Sequence, residues 1–169
     1  MARRSSKKQK GKGSRRQAVG KIDRGLDGTI ADALEMGLTS EGLVNGALAT
    51  LDREQIPRTF KFLEALSKAV GTDPHVFFGL GRIAAELDDH DQALQCFRDA
   101  VELLPDFAEA HFHLGASALE LGEVDVAIDA LNEAVLSSEE DAPLREDATA
   151  LLAKAEARAE EQDEPQSAG

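Results

Sequence analysis

Residues 74–107 read PHVFFGLGRIAAELDDHDQALQCFRDAVELLPDF, and residues 108–141 read AEAHFHLGASALELGEVDVAIDALNEAVLSSEED. Laid one above the other without a gap, the two 34-residue stretches agree at ten positions: Phe78/Phe112, Leu80/Leu114, Gly81/Gly115, Ala84/Ala118, Glu86/Glu120, Leu87/Leu121, Asp91/Asp125, Ala93/Ala127, Ala100/Ala134 and Val101/Val135. Self-similarity at this period marks a repeat architecture, in which one supersecondary unit buries its apolar face only by stacking on the next. Small and large apolar residues recur three and four apart, the spacing of one helical face. Each copy therefore reads as two helices joined by a turn.

The register extends in both directions. Residues 40–73 form a degenerate first copy, because Leu43, Ala47, Leu63 and Leu66 fall where Phe77, Gly81, Phe97 and Ala100 fall in the next. Pro57 sits in the first turn of that copy's second helix, where proline is tolerated. Asp73-Pro74 places an N-cap and a first-turn proline at the opening of residues 74–107. Asp89 followed by Gln92 suggests a capping box, Pro105 closes the middle copy, and Gly122 marks the turn within residues 108–141. Beyond Asp141, residues 142–160 read as a capping helix. There Leu144, Ala148, Leu151, Leu152 and Ala155 keep the phase of Val76, Leu80, Ile83, Ala84 and Leu87, while the other face is charged. Residues 161–169 are expected to fray. At the other end, Asp23 to Gly28 reads as a loop, and residues 28–38 as a short helix with Ile30 and Leu34 on one face, ended by Gly37.

Composition limits the function classes. With 42% hydrophobic residues, no Trp or Tyr, and only 4% aromatics, the chain suits helices packed through small residues rather than a β-sandwich or barrel. The one cysteine, Cys96, excludes an intramolecular disulfide and a multi-cysteine zinc site. No apolar run approaches the ~20 residues that span a bilayer, and the amino terminus lacks the apolar stretch of a secretory signal. A cytoplasmic location is expected. The net charge of −13 hides a polarity: residues 1–21 carry nine cations and no acid, leaving ten basic and 32 acidic groups in residues 22–169. Residues 1–27 read as a basic disordered tail, on a body of about −22 that repels nucleic acid and membrane surfaces.

The period and the spacing of small and large residues resemble the tetratricopeptide repeat, a helix–turn–helix unit that stacks into a superhelix. The expected fold is all-α: three repeats, a capping helix and a short N-terminal helix. Gly81 and Gly115 are expected where first helices of adjacent units approach, with Ala93 and Ala127 serving the second helices. The resemblance puts the concave face at the second, fifth, ninth and twelfth positions of each first helix. These are Glu41, Val44, Leu48 and Leu51; His75, Phe78, Arg82 and Ala85; and Glu109, Phe112, Ala116 and Leu119. Stacking should not need these positions, so the apolar strip of Val44, Leu48, Leu51, Phe78, Phe112 and Leu119 reads as a groove for an extended apolar peptide. The competing reading is that an amino-terminal helix or tight curvature covers them. Arg82 is the only cation on the strip, which argues against acidic carboxy-terminal tails as ligands.

At Gly28-Thr29-Ile30-Ala31, and again at Phe77-Phe78-Gly79-Leu80-Gly81, the chain resembles the class II chaperones of bacterial type III secretion, which escort translocator proteins. The resemblance covers roughly residues 28–157. It implies a cytosolic chaperone without catalysis or cofactor, holding an extended translocator segment in its concave groove. Carried over, the groove comprises Val44, Leu48, Leu51, Phe78, Arg82 and Phe112, with Ala116 and Leu119 continuing it. The family's dimerising N-terminal helix places Ile30 and Leu34 at a homodimer contact. Family members often have groove tyrosines; this chain has none. An adaptor in another protein complex is the alternative.

No other constellation carries chemistry. His111 and His113 point about 200° apart on a helix and cannot share a metal, and His75 and His90 are isolated. Cys96 reads as a small core residue. There is no glycine-rich phosphate loop and no nucleophile–base pair, so an enzyme is not expected. The basic tail leaves contact with nucleic acid or anionic lipid open, against a solvated tail that touches its own acidic body.

Overall fold

The computed structural model describes residues 25–49, 51–140 and 142–163; the tail through residue 24 and residues 164–169, expected to be disordered and frayed, lie outside these. Among the described residues there are eight helices and no strand: α1 Gly25–Glu35, α2 Ser40–Leu48, α3 Ile56–Val70, α4 Pro74–Glu86, α5 His90–Leu103, α6 Ala108–Leu121, α7 Val124–Ser137 and α8 Pro143–Asp163. The pairs α2/α3, α4/α5 and α6/α7 are the three repeats. First helices stack in a row, α2 on α4, α4 on α6 and α6 on α8, while α3, α5 and α7 back them.

The starts of the helices follow from side chains that satisfy their free N–H groups. Thr39 Oγ1 accepts from Gly42 N at 3.1 Å, Asp73 Oδ1 from His75 N at 2.9 Å, and Asp89 Oδ1 from Gln92 N at 3.2 Å. Asp73 also receives the Ser40 hydroxyl at 2.7 Å, tying the start of the first repeat to the start of the second. At the carboxyl ends, Gly122 adopts φ +78°, and Asp88 takes the same left-handed conformation at φ +61°. α8 is fastened to α6 by Arg158 Nη1, which donates to the Leu119 carbonyl at 3.0 Å.

The core runs the length of the stack, with Ile30, Val44, Leu63, Leu66, Phe97 and Leu131 its largest fully buried side chains. In α8, Ala148 and Ala155 are fully buried while Leu151 and Leu152 pack against the core. Gly81 and Gly115 have a different role from that expected. A Cβ on Gly81 would lie 2.7 Å from Phe97 Cε1, and one on Gly115 2.6 Å from Leu131 Cγ and 3.2 Å from the Ala127 carbonyl. These glycines therefore admit the second helix of their own repeat. The close approach between repeats is made at Gly79, where a Cβ would meet Leu63 at 2.8 Å and Val44 at 3.1 Å.

Both ends differ from expectation. α1 begins at Gly25, inside the expected loop, and Thr29 lies in its interior, with Oγ1 donating to the Leu26 carbonyl at 2.8 Å. α8 runs on to Asp163, past the expected end at 160, through Glu161 and Gln162, both good helix formers.

One joint of the stack is incompletely filled. A groove of about 730 Å³ separates Ile56, Pro57 and Phe60 of α3 from Leu80 and Ile83 of α4 and from Leu87. Phe60 is 47% exposed, whereas Leu94, one repeat later, is 4% exposed. Leu87 is 54% exposed, while its equivalent Leu121 packs against the core.

Candidate functional site

The inner faces of α2, α4 and α6 enclose a cavity of about 260 Å³. Glu41, Asn45, Leu48 and Ala49 line it from α2 and its end, Phe78 and Arg82 from α4, and Phe107, Glu109 and His113 from the start of α6. Three helices that cannot meet in sequence contribute to one cleft because the first helices stack in parallel.

Phe78 forms the floor. Its ring lies 4.9 Å from Phe107, 5.7 Å from His113 and 5.9 Å from Phe97, all tilted, and the Arg82 guanidinium carbon stands 5.9 Å from its centroid. His113 stacks on Phe97 at 5.6 Å, and Phe112 meets its edge at 5.2 Å. Burial, helped by the nearby Arg82 charge, pushes the His113 imidazole down to about 3, so it is neutral at physiological pH. Burial likewise lowers the Arg82 guanidinium against the opposing pull of Glu86, and that group stays charged. The charged lining is thus two carboxylates and one guanidinium over an aromatic floor.

The expected groove residues divide into two sets. Leu48, Phe78 and Arg82 line the cavity. Phe112 and Ala116 are half-buried on α6 beyond it. Val44 is fully buried at the Gly79 contact, and Leu119 is buried in the core. Phe78 is only 4% exposed and Leu48 9%. The expectation that stacking leaves these positions free is therefore corrected: Val44, Leu48, Phe78 and Leu119 serve the packing. Leu51 lies beyond the end of α2, where its N–H bonds to the Leu48 carbonyl, and is half-buried. Ile30, assigned to a homodimer contact, is 2% exposed in the protomer's own core, with Leu34 packed against that core. The exposed apolar side chains of this region are Leu26, Met36 and Leu38.

Sequence reasoning missed Phe107 and set His113 aside as a metal ligand without seeing its aromatic role. Phe107 carried a signal, because it occupies the N-cap of α6, where a capping side chain is usual, and makes no cap bond. Instead its ring packs on Phe78 and on His75, the latter at 5.0 Å. Cys96 is half-buried, with its thiol pushed up by burial and then by Asp99 and Asp89. Among the described residues, no three His, Cys, Asp or Glu gather as metal ligands would, and no helix is long and apolar enough to cross a membrane.

Part of the chain matches the tetratricopeptide repeat. The sequence model of that repeat matches residues 78–143. No curated protein matches the chain. Among solved structures, PcrH in complex with the chaperone binding region of PopD superposes with a TM-score of 0.63 at 23% identity, over 76% of this chain and 95% of that one. PcrH of Pseudomonas aeruginosa in another structure is 26% identical, with a TM-score of 0.54 over 74% and 94%. The Yersinia enterocolitica type III secretion chaperone SycD, with a peptide of the translocator YopD, gives 0.62 at 20% identity over 78% and 96%. The tetratricopeptide domain of Sgt2 from Aspergillus fumigatus gives 0.63 at 13% identity, over 76% and 82%. All share the tetratricopeptide superhelix found here.

Proposed function

We propose that this tetratricopeptide protein is a non-catalytic, cytoplasmic chaperone that holds an extended, largely apolar segment of a secreted translocator along its concave face. The observation that carries the reading is the cleft between α2, α4 and α6, with an aromatic floor and polar walls. A cleft of this kind suits a peptide whose apolar side chains seek the floor while its backbone finds hydrogen-bonding partners at the rim. The likeness to PcrH and SycD, both solved with translocator segments, supports the assignment of client class. Phe112 and Ala116 extend the binding strip beyond the cavity, and Arg82 orients the client's backbone or an acceptor on it.

Affinity capture of the tagged chain from its native host, followed by mass spectrometry, tests this reading. A membrane-active secreted protein is expected, and Phe112→Glu combined with Ala116→Glu should release it while the helical circular dichroism stays unchanged. Retention of the client by that double variant would sink the groove assignment. A second reading, an adaptor in another assembly, draws on the equally good superposition of Sgt2. Capture of stable complex subunits in place of a secreted protein would favour it.

A further inference from the structure

We propose that the outer edge of the first repeat, a groove between α2 and α3, docks an acidic amphipathic helix of a partner protein. The groove lies on the face of α2 opposite the cleft, and the proposal stands whether or not the client assignment does.

The register of the repeats says what shape belongs there. Leu80, Asp89 and Gln92 of the second repeat face α3 across the joint between repeats. Their equivalents 34 residues earlier, Gly46, Gln55 and Arg58, line a groove of about 740 Å³. This is the place a preceding repeat's second helix would take, and the end of a solenoid exposes such a face until something caps it. α1 does not fill it. That helix packs on α3, and of its residues Leu26 alone lines the groove. Leu26 and Leu38 stay 42% and 48% exposed at its margin, with Leu43 and Phe62 half-buried between them.

The walls suit a helix. A Cβ on Gly46 would meet nothing within 4 Å, and one on Gly42 only the Thr39 hydroxyl at 3.4 Å. Large side chains of an incoming helix therefore have room between α2 and α3. The α3 wall, from Gln55 to Phe62, runs for about 10 Å at the helical rise, which matches about two turns of a partner. Among the described residues there is no strand to receive an extended chain by β-addition.

Charge selects the partner. The cleft and the groove between α3 and α4 both include carboxylates, whereas this lining has two cations, Arg58 and Lys61, and no acid. Elsewhere in the described chain Arg53, Lys68 and Arg98 are ion-paired, and Arg145 and Arg158 donate to carbonyls. Arg58 and Lys61, both exposed, make no such contact with the described residues. They stand three apart on α3, so two carboxylates three or four apart on a partner helix meet them. The acidic body is screened beyond about 10 Å, which leaves this pair to set the local sign. Residues 1–21, with nine cations and no acid, are repelled by it.

Panning a phage-displayed library of two- to three-turn amphipathic helices against the full-length protein tests the proposal. Acidic sequences are expected to win. By fluorescence anisotropy, the synthetic winner should lose affinity about tenfold in Arg58→Glu with Lys61→Glu. Gly46→Leu, which places the side chain of Leu80 in the groove, should weaken it as much. All three positions are exposed, so helical circular dichroism should not change in either variant. In the parent, bound peptide should slow amide exchange in α2 and α3. Basic or uncharged winners, no winners, affinity indifferent to both variants, or protection confined to α4 and α6 would overturn the proposal. Two further outcomes would do the same. A parent dimer that dissociates in Arg58→Glu with Lys61→Glu would give the groove to a second copy. Sedimentation with phosphatidylserine vesicles that this variant abolishes would give it to a membrane surface.

Discussion

Asp88 stands 34 residues before Gly122, and both close the first helix of their repeat in the left-handed conformation, at φ +61° and φ +78°. An L-residue with a Cβ costs about 1–2 kcal/mol there, and glycine costs nothing sterically. Asp88 is partly compensated by Arg53, whose Nη2 lies 2.6 Å from its carboxylate, but both side chains are more than half exposed and the pair is worth little. Asp88→Gly is therefore expected to stabilise the protein by about 0.5–1 kcal/mol. Gly122→Ala should destabilise it by about 1 kcal/mol. Urea denaturation of the two variants checks the opposite signs.

Glycines inside helices need not behave alike. A Cβ on Gly46 in α2 would meet nothing within 4 Å, so Gly46→Ala should gain about 0.5–1 kcal/mol from helix propensity alone. Gly115→Ala gains the same propensity but drives a methyl into Leu131 Cγ and the Ala127 carbonyl. A net loss of about 1–3 kcal/mol is expected. Calorimetric midpoints that moved together would show that the α6/α7 packing yields more readily than its geometry implies.

Phe78 and Phe112 occupy the same position in successive repeats but should fail in different ways. Phe78 is buried among three aromatic rings, and Phe78→Ala is expected to cost about 3–5 kcal/mol, confounding any binding assay. Phe112 is half-buried, so Phe112→Ala should cost about 1 kcal/mol and act mainly on client affinity. Parallel unfolding and pull-down measurements separate the two effects.

The neutral His113 makes stability depend on pH with a definite sign. Its folded pKa is depressed from 6.5 to about 3. The unfolded chain therefore binds a proton that the folded chain refuses between those values. Its contribution is fully present above about pH 6.5 and is lost as pH falls toward 3, at up to about 1.4 kcal/mol per pH unit. His113→Phe keeps a ring against Phe97 and Phe112 and removes the titration. Its urea midpoint should fall less than that of the parent between pH 7 and pH 4.5. Parallel pH profiles would contradict the burial of a neutral imidazole.

The middle of the fold was legible because α4 through α7 repeat their small and large residues in strict register, and Asp73, Asp89 and Gly122 punctuate them. The edges were harder to read. Glycines at 25 and 28 look like a loop until Ile30 is seen buried with α1 packed on α3, a tertiary contact that overrides weak local propensity. Leu51 left its expected face because Asp52 Oδ1 accepts from both Glu54 N and Gln55 N, forming a turn that occupies the place of another helical turn. The cleft was half legible. Repeat positions located Leu48, Phe78 and Arg82, but the burial of Phe78 depends on Phe107, a residue at the junction of two repeats that no concave-face rule includes.

The underfilled joint between α3 and α4 gives the array a direction. In a linear stack, stability is a sum of unit terms and nearest-neighbour couplings, so the weakest coupling decides where the stack unzips. With Phe60 and Leu87 left exposed, that point lies between the first and second repeats. Amide exchange should release α2 and α3 well before α5 to α7. The wall of the cleft that carries Glu41 and Leu48 is then its hinged side, and the cleft widens by partial melting of one repeat while the rest of the superhelix holds its shape.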